Sequence, residues 1–398
     1  RGVTLFFTEA GEVVRAAQPL VPLRPGRQEP LILDPAARLL PQVVALQQSA
    51  AELVRRVAAV ADALEGAAAQ LSIEPDSHAE REFDLFTSQL KDRTTVLEQA
   101  FGGPRPDRLY WIGVEHRTGR ALVQAAPTTA GQLLQARAFA GKETVVFTSA
   151  SLAVADSFDY FKRGVGLTEF STHEMVLSSP FDYLSQALLC LPTDLRELTD
   201  PAFVDQVSAI VADIAESIGG RTLVLFTAHQ QLRDVADQLR IRLAHSRLRV
   251  LAQNVDGTRR QLLAEFQENA RTILLGTSSF WEGIDVPGDA LSCVVIVRLP
   301  FKVPGDPLQR ARGATLADPF GQLALPEAVL RLKQGFGRLI RRRSDRGAVV
   351  LLDHRVSNRT YGRAFLEALP KAAVHLGASD EIAPAISQWL RRSSPAPV

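Results

Sequence analysis

The chain has 398 residues, of which 46% are hydrophobic and 22% are charged, and its formal net charge at pH 7 is only +1. This length allows two or three domains with a large core, and the charge restricts any nucleic-acid contact to local basic patches. The two cysteines exclude a disulfide framework and a four-cysteine metal or cluster site within the chain. No apolar run of about 18 residues and no signal peptide is present, so we expect a cytoplasmic protein that does not contact a membrane.

The N-terminal part of the chain is predicted to be helical. Residues 4–16 are typical of a short hairpin, and apolar residues at steps of three and four predict a long amphipathic helix between residues 34 and 66, with a kink near Pro41. Asp76 and Ser77 indicate the start of a second helix, which ends at Gly102. Together the helices predict an antiparallel hairpin over residues 1–105 with a structural role.

From Leu109 onward the sequence predicts an α/β layer. Residues 110–114, 122–125 and 144–147 are predicted strands, the last of them buried, and residues 129–139 are a predicted helix. Further predicted strands are residues 222–226, 250–252, 272–275, 291–297 and 348–352, and they alternate with predicted helices at residues 230–243, 258–266 and 326–342. This alternation predicts a parallel sheet that is covered by helices on both faces.

Polar residues follow several of these strands, at the edge where parallel sheets bind their ligands. The residues at the predicted carboxyl ends are Thr227, Ala228 and His229, residues 276–279, residues 298–300 and residues 353–355. Hydroxyl and backbone N–H groups gathered at one edge suit phosphate binding. Each residue on its own fits an ordinary loop or helix cap better, so the prediction rests on the cluster.

The predicted helix over residues 326–342 belongs to a basic segment. Residues 331–346 contain seven lysines or arginines and one acid, Asp345. On a helical wheel the apolar residues form one stripe, and Gln334, Arg338 and Arg341 fall on the opposite face.

Gly335 and Gly337 are unusual in this predicted helix, because each costs roughly 1 kcal/mol relative to alanine in a helix interior. Their presence favours a close approach of an anionic ligand or another lobe to the backbone. Arginine suits such an anion, since its planar guanidinium group donates two parallel hydrogen bonds to phosphate. A solvated basic face is the alternative explanation of the charge run.

Thirteen consecutive residues, 276–288, read Gly-Thr-Ser-Ser-Phe-Trp-Glu-Gly-Ile-Asp-Val-Pro-Gly. This run resembles motif V of the DinG branch of superfamily two helicases, the bacterial relatives of XPD. Residues 334–341 are similar to motif VI of the same family, Gln-x-x-Gly-Arg-x-x-Arg, residues 148–150 to motif III and residues 225–227 to motif IV. The motifs occur in the family's order along the chain.

The resemblance implies a domain order. Residues 1–105 would be an arch-like helical insertion, residues 106–155 the last piece of the first RecA-like motor domain, and residues 156–398 the second RecA-like motor domain. The chain starts at Arg1 and lacks a phosphate-binding loop of the form GxxxxGK[ST], a DExH motif and four clustered cysteines. In the family these features lie upstream of the arch. We therefore expect the C-terminal half of a longer helicase, inactive on its own, whose iron–sulfur cluster, where the family carries one, lies upstream.

By the same resemblance, ATP binds between two lobes, and the upstream lobe holds most of the Mg²⁺ ligands. Arg338 and Arg341 are expected to neutralise charge on the transferred phosphoryl group, with Gln334 contacting the nucleotide. The remaining nucleotide-binding candidates are Glu282, Gly283, Asp285, Gly335 and Gly337.

Single-stranded DNA is the expected partner of the strand ends. The candidates for contacts with its backbone phosphates are Thr227, His229, Thr277 and Ser278. Trp281 either stacks on a base or belongs to the core, and the sequence leaves both roles open. Thr148 and Ser149 are expected to couple the nucleotide and DNA sites.

The family implies ATP-driven DNA unwinding with 5′-to-3′ polarity in repair or replication. Because the phosphate-binding loop is missing, a non-catalytic nucleic-acid-binding or regulatory module with a RecA-like fold is the alternative. Side chains that contact phosphate do not distinguish DNA from RNA or a hybrid.

Overall fold

A computed structural model of the chain describes residue 10 and residues 30–70, 77–115, 120–281, 290–302 and 305–391. The predicted hairpin at residues 4–16 lies outside them. The described residues divide into two compact units. The first unit draws on Arg1–Lys142, Gly164–Gly166 and Val303–Pro319, and the second on Glu143–Arg163, Leu167–Lys302 and Phe320–Val398. The predicted domain boundaries at residues 105 and 155 stay predictions, since compact units need not coincide with evolutionary domains.

The helices and strands of the described residues are numbered in chain order. The helices are α1 (Pro41–Gln70), α2 (His78–Phe101), α3 (Gly131–Leu134), α4 (Asp159–Val165), α5 (Tyr183–Gln186), α6 (Phe203–Ile218), α7 (His229–Arg242), α8 (Arg259–Glu268), α9 (Ser278–Trp281), α10 (Pro307–Ala314), α11 (Leu325–Phe336), α12 (Arg355–Asn358), α13 (Gly362–Ala368) and α14 (Ser379–Arg391). The strands are β1 (Leu31–Ile32), β2 (Arg108–Val114), β3 (Ala121–Pro127), β4 (Ala187–Pro192), β5 (Thr222–Leu225), β6 (Arg249–Ala252), β7 (Thr272–Gly276), β8 (Cys293–Ile296), β9 (Gly347–Leu351) and β10 (Ala373–Gly377).

The first unit contains the predicted helical region, α1 and α2, and a three-stranded antiparallel sheet in the order β1–β2–β3. Its core joins residues of both helices to inward-facing residues of the sheet, such as Tyr110 and Ile112. Helix α1 begins at Pro41 and is not kinked there, as proline fits a first helical turn. The side chain of Ser77 caps α2 by accepting a hydrogen bond from the N–H group of Glu80.

The second unit is built on a seven-stranded sheet in the order β10–β4–β9–β8–β5–β7–β6, with every neighbouring pair parallel. Helices α6, α7 and α14 cover one face, and helices α8, α11 and α13 cover the other. Every residue of β5, β7, β8 and β9 is buried, as expected for strands that are covered on both sides. The predicted parallel sheet with helices on both faces is confirmed.

The predicted buried strand at residues 144–147 is wrong for this structure. These residues belong to no helix or strand, and Val146 is 80% exposed. An apolar run becomes a central strand only if neighbouring strands accept its hydrogen bonds, and none of the described strands pairs with it. Strands β1, β4 and β10 and several helices, including α6 and α14, were not predicted from the sequence.

The predicted helix at residues 326–342 ends early, since α11 stops at Phe336. The chain then continues in turns, in which the N–H group of Arg338 donates to the carbonyl of Gly335 at 3.2 Å. The two glycines explain the stop, as they are poor helix formers. The predicted helical face shared by Arg338 and Arg341 is therefore wrong.

Among the described residues, none of the helices combines the length and hydrophobicity that crossing a membrane requires.

Candidate nucleotide and nucleic-acid site

A hydrogen-bond network joins the carboxyl ends of β5, β6 and β7, which are neighbours in the sheet. The Thr277 hydroxyl lies 3.3 Å from His229 Nε2 and 3.1 Å from Gln253 Oε1. Gln253 Oε1 also accepts the N–H group of Thr277 at 2.7 Å, and its Nε2 donates to Ser279 Oγ at 3.0 Å. The fold thus brings the predicted residues His229 and Thr277 together. Gln253 was missed, although it directly follows a predicted strand.

The residues of this network differ in how accessible their side chains are to a ligand. Thr277 is only 3% exposed, whereas His229 is exposed at the first position of α7. Ala228 provides no side-chain cap for α7, so the first-turn N–H groups are available to an anion. Thr227 is partly buried in the turn before α7, and Ser278 is the first residue of α9. Among the described residues of this edge, His229 and Ser279 are exposed, and α7 has an uncapped N-terminus.

Trp281 belongs to the core. Its side chain is 3% exposed, and its Nε1–H group donates to the carbonyl of Phe226 at 3.2 Å. A Cβ atom added at Gly335 would lie 3.0 Å from the indole ring. Of the two roles that the sequence left open, the structure supports the core role, because the buried ring faces do not reach a base. Packing on Trp281 thus accounts for glycine at position 335, and the predicted nucleotide-binding role of Gly335 stays a prediction.

The segment after α11 contains the two predicted catalytic arginines. Gly337 is the C-cap residue of α11. Arg338 is partly buried, and its Nε–H group donates to the carbonyl of Trp281 at 3.2 Å. Arg341 is exposed, and its backbone N–H group donates to Asp345 Oδ2 at 2.8 Å. The structure therefore joins the segment that resembles motif VI to the last described residue of the segment that resembles motif V.

Gln334 contacts Ser151, the residue that directly follows the segment that resembles motif III. Its Nε2 donates to Ser151 Oγ at 3.4 Å, and Ser151 Oγ lies 3.2 Å from Ser149 Oγ. Gln334 Oε1 is buried and has no hydrogen-bond partner among the described residues. Thr148 is exposed and takes no part in this chain of contacts. Ser151 was missed as a site residue because it lies just beyond the matching stretch 148–150.

The residues after β9 have structural roles. The Asp353 carboxylate is 1% exposed, and it accepts the N–H group of Leu299 at 2.7 Å and two guanidinium hydrogen bonds from Arg355 at 2.8 and 2.6 Å. The hydrogen bonds with Asp353 raise the pKa of Arg355. His354 Nε2 lies 3.0 Å from Glu197 Oε2.

The described residues contain no group of three or more histidine, cysteine or carboxylate side chains that would hold a metal ion. Glu282, Gly283 and Asp285 lie outside the described residues, so their predicted nucleotide-binding roles stay predictions. The two cysteines, Cys190 and Cys293, are buried in β4 and β8. Burial raises the pKa of Cys190 to about 12 and that of Cys293 well above its usual value.

Residues 211–372 match the family model of the helicase C-terminal domain, from α6 to the start of β10. These residues are therefore similar to helicase C-terminal domains. The matched region includes His229, Thr277, Gln334, Arg338 and Arg341. Ser149 and Ser151 lie outside it, and Gln334 contacts Ser151 by a hydrogen bond.

Relatives of the chain include DinG-type proteins. The chain is 36% identical over 304 residues to the 3′-5′ exonuclease DinG of Bacillus subtilis, an alignment that covers 74% of this chain and 32% of the relative. It is 43% identical over 231 residues to the ATP-dependent DNA helicase YoaA of Escherichia coli, covering 57% and 35%. It is 36% identical over 296 residues to the ATP-dependent helicase DinG of Mycobacterium tuberculosis, covering 71% and 43%. The resemblance to DinG-type helicases is thus confirmed, and the chain spans less than half the length of each of these relatives.

Proposed function

We propose that the chain is the C-terminal portion of an ATP-dependent DNA helicase that translocates on single-stranded DNA. The observation that carries the proposal is the match of residues 211–372 to the helicase C-terminal domain. The names of the E. coli and M. tuberculosis relatives, both ATP-dependent helicases, support ATP as the nucleotide that is hydrolysed. Because DNA is the proposed substrate, the cytoplasm is the proposed location.

In this proposal the nucleotide lies between the second unit and a lobe encoded upstream. That lobe supplies the phosphate-binding lysine and the Mg²⁺ ligands, in line with the lack of a phosphate-binding loop in the chain. Arg341, exposed on its turn, approaches the γ-phosphate, and Arg338 and Gln334 line the same wall. The hydrogen bond from Gln334 to Ser151 then reports the state of the nucleotide to the segment with Thr148 and Ser149.

The proposed domain order is the one that the resemblance implies: residues 1–105 as the arch-like insertion, 106–155 as the last piece of the first motor domain and 156–398 as the second motor domain. An iron–sulfur cluster of the whole protein would take its ligands from outside the chain. Such a cluster is held by four cysteine thiolates, and the chain has two cysteines.

The proposed DNA contact is the carboxyl edge of β5 and β7. His229 and the uncapped N-terminus of α7 face backbone phosphates, together with Thr227 and Ser278. Contacts to phosphate give binding that is independent of sequence and weakens with salt. The 5′-to-3′ polarity is an expectation from the resemblance.

The decisive test compares two proteins in an ATPase assay with and without single-stranded DNA. We expect no significant turnover from the 398-residue chain and DNA-stimulated turnover from the product of the complete gene. In the complete product, Arg341→Ala should lower kcat by about 10³-fold, as removal of a transition-state arginine does. Arg363→Ala, which removes an exposed arginine that forms an ion pair with Glu367 on α13, is the matched control.

The alternative function is a non-catalytic nucleic-acid-binding module, which the missing phosphate-binding loop favours. In that case the complete product would bind DNA without hydrolysing ATP. Competition between single-stranded DNA and RNA of equal length then distinguishes the substrate class.

A further inference from the structure

The turn between α11 and β9 lacks the hydrogen bonds of regular secondary structure. Residues 337–346 belong to no helix or strand, and Arg341, Arg342 and Arg343 are exposed on this turn. A guanidinium group at the end of a long side chain is placed accurately only if its own backbone is fixed. Contacts other than those of a helix or strand therefore have to hold the backbone of these arginines.

Asp345 holds the turn from within. Asp345 is only 6% exposed, and its Oδ2 atom accepts the N–H groups of Arg341 and Arg342, both at 2.8 Å. A carboxylate that accepts two backbone N–H groups forms the stronger, charge-assisted type of hydrogen bond. The peptide groups before Arg341 and Arg342 are thereby tied to one point.

Gln186 holds the same turn from another part of the chain. This residue is 5% exposed, and its Nε2 donates to the carbonyls of Arg342 at 2.9 Å, Arg343 at 3.1 Å and Asp345 at 3.0 Å. Gln186 therefore donates hydrogen bonds to carbonyl groups of the turn, and Asp345 accepts hydrogen bonds from N–H groups of the same turn. Loss of the Gln186 amide would remove a donor from all three carbonyls, of which that of Arg342 would still accept the N–H group of Asp345 at 3.1 Å. A lost hydrogen bond is costly where water has poor access.

The position of Gln186 is fixed by the sheet. It is the last residue of α5, and the next residue, Ala187, pairs with Gly347 in the parallel ladder of β4 and β9. Gly347 cannot be replaced without movement, since an added Cβ would clash with Leu339 and lie 2.7 Å from the carbonyl of Ser292. Close packing thus constrains the start of β9, with which the residue after Gln186 pairs.

We propose that Gln186 and Asp345 are positioning residues for Arg341, and that together they hold its turn in the form that presents the guanidinium group to the nucleotide. The proposal rests on the proposed function, because it takes Arg341 as the arginine that contacts the γ-phosphate. Neither residue touches the nucleotide. Their effect is to remove the freedom of the backbone from which Arg341 extends.

The first test measures the turn itself and needs no catalytic activity. Gln186→Met keeps the volume and removes the amide. In the 398-residue chain this variant should raise amide hydrogen exchange at residues 341 and 342 by about tenfold, as expected when a local hydrogen-bonded unit opens. Gln206→Met is the matched control, because the Gln206 amide also bonds two backbone groups, those of Arg196 and Asp194, away from the turn. Unchanged exchange at residues 341 and 342 in Gln186→Met would overturn the proposal.

The second test measures catalysis in the product of the complete gene. Gln186→Met should lower kcat of the DNA-stimulated ATPase between about 10- and 100-fold, with little change in KM, as misplacement of a catalytic group does. In the background of Arg341→Ala it should have no further effect, because the side chain that it positions is gone. An equal loss in both backgrounds would show that Gln186 acts independently of Arg341, and would contradict the proposal.

The two tests separate the failure of this proposal from failure of the proposed function. If the complete product has no ATPase activity, the proposed function fails, while faster exchange in Gln186→Met still shows that Gln186 stabilises the turn.

If Gln186→Met does not fold, judged by circular dichroism and thermal melting, Asp345→Ala replaces it in both assays. We expect the same exchange increase and the same dependence on Arg341, and a full, independent effect of Asp345→Ala would again contradict the proposal.

Discussion

The indole of Trp281 packs directly on Gly335, the position at which α11 has no side chain. A Cβ atom there would lie 3.0 and 3.1 Å from two ring carbons of Trp281 and 3.5 Å from Leu225 Cδ1. Trp281 in turn provides the carbonyl that accepts the Nε–H group of Arg338. The unfavourable helix propensity of one glycine is thus offset by a tryptophan that also anchors one of the proposed catalytic arginines.

Gly335→Ala should destabilise the chain by about 1–3 kcal/mol, because overpacking a tight contact forces neighbours to move. The measurement is the free energy of unfolding from urea titration. Gly66→Ala is the matched control, since Gly66 also lies inside a helix, α1, but an added Cβ would meet nothing within 4 Å. The control should be neutral or more stable by about 0.4–1 kcal/mol. Equal effects of the two substitutions would contradict the role given to Trp281.

Trp281 fluorescence should not respond to single-stranded DNA. In a variant with Trp111→Phe and Trp389→Phe, Trp281 is the remaining tryptophan of the three. Its buried ring should emit at short wavelength, and saturating single-stranded DNA should leave the emission unchanged. Strong quenching by DNA would mean that the ring stacks on a base. Binding measured in parallel by anisotropy of labelled DNA ensures saturation.

His229→Ala should weaken binding of single-stranded DNA by roughly 2- to 10-fold, the effect of one lost hydrogen bond. Because phosphate is the proposed ligand, the loss should be the same for pyrimidine-rich and purine-rich strands. Anisotropy titrations at several salt concentrations give the affinities. His245→Ala, which removes another exposed histidine beyond the end of α7, is the control and should bind normally. A sequence-dependent loss would point to base contacts in place of phosphate contacts.

The buried thiol of Cys190 should make the folded state less stable at high pH. Its pKa in the folded chain is about 12, raised by burial from the ordinary 9.0. Between these values the unfolded chain loses the thiol proton while the folded chain keeps it. The free energy of unfolding therefore falls as pH rises above about 9, by about 1.4 kcal/mol per pH unit from this group.

The measurement is urea unfolding from pH 8, below the ordinary pKa of 9.0, to pH 11, below the folded-state pKa of about 12. Cys190→Ala should be less stable at every pH but should show a shallower decline above pH 9, since other groups titrate equally in both proteins. Parallel declines in the two proteins would show that the thiol does not contribute.

The sequence by itself predicted the parallel sheet and several of its strands, because buried parallel strands are short apolar runs and helices alternate with them. It also predicted that His229 and Thr277 lie at one edge, since the carboxyl ends of parallel strands meet there. The run at residues 144–147 has the same apolar character but is exposed. Local composition does not reveal whether a neighbouring strand is present to accept its hydrogen bonds.

Only the tertiary structure decided how the arginines are held. Periodicity predicted one helical face for Arg338 and Arg341, but α11 ends at Phe336, and the arginines lie on turns fixed by residues far away in the chain. Gln186 reaches this turn across 156 residues, and Gln334 reaches Ser151 across 183. A sequence pattern reports contacts within a helix or strand, whereas such contacts depend on how sheet register and packing bring distant segments together.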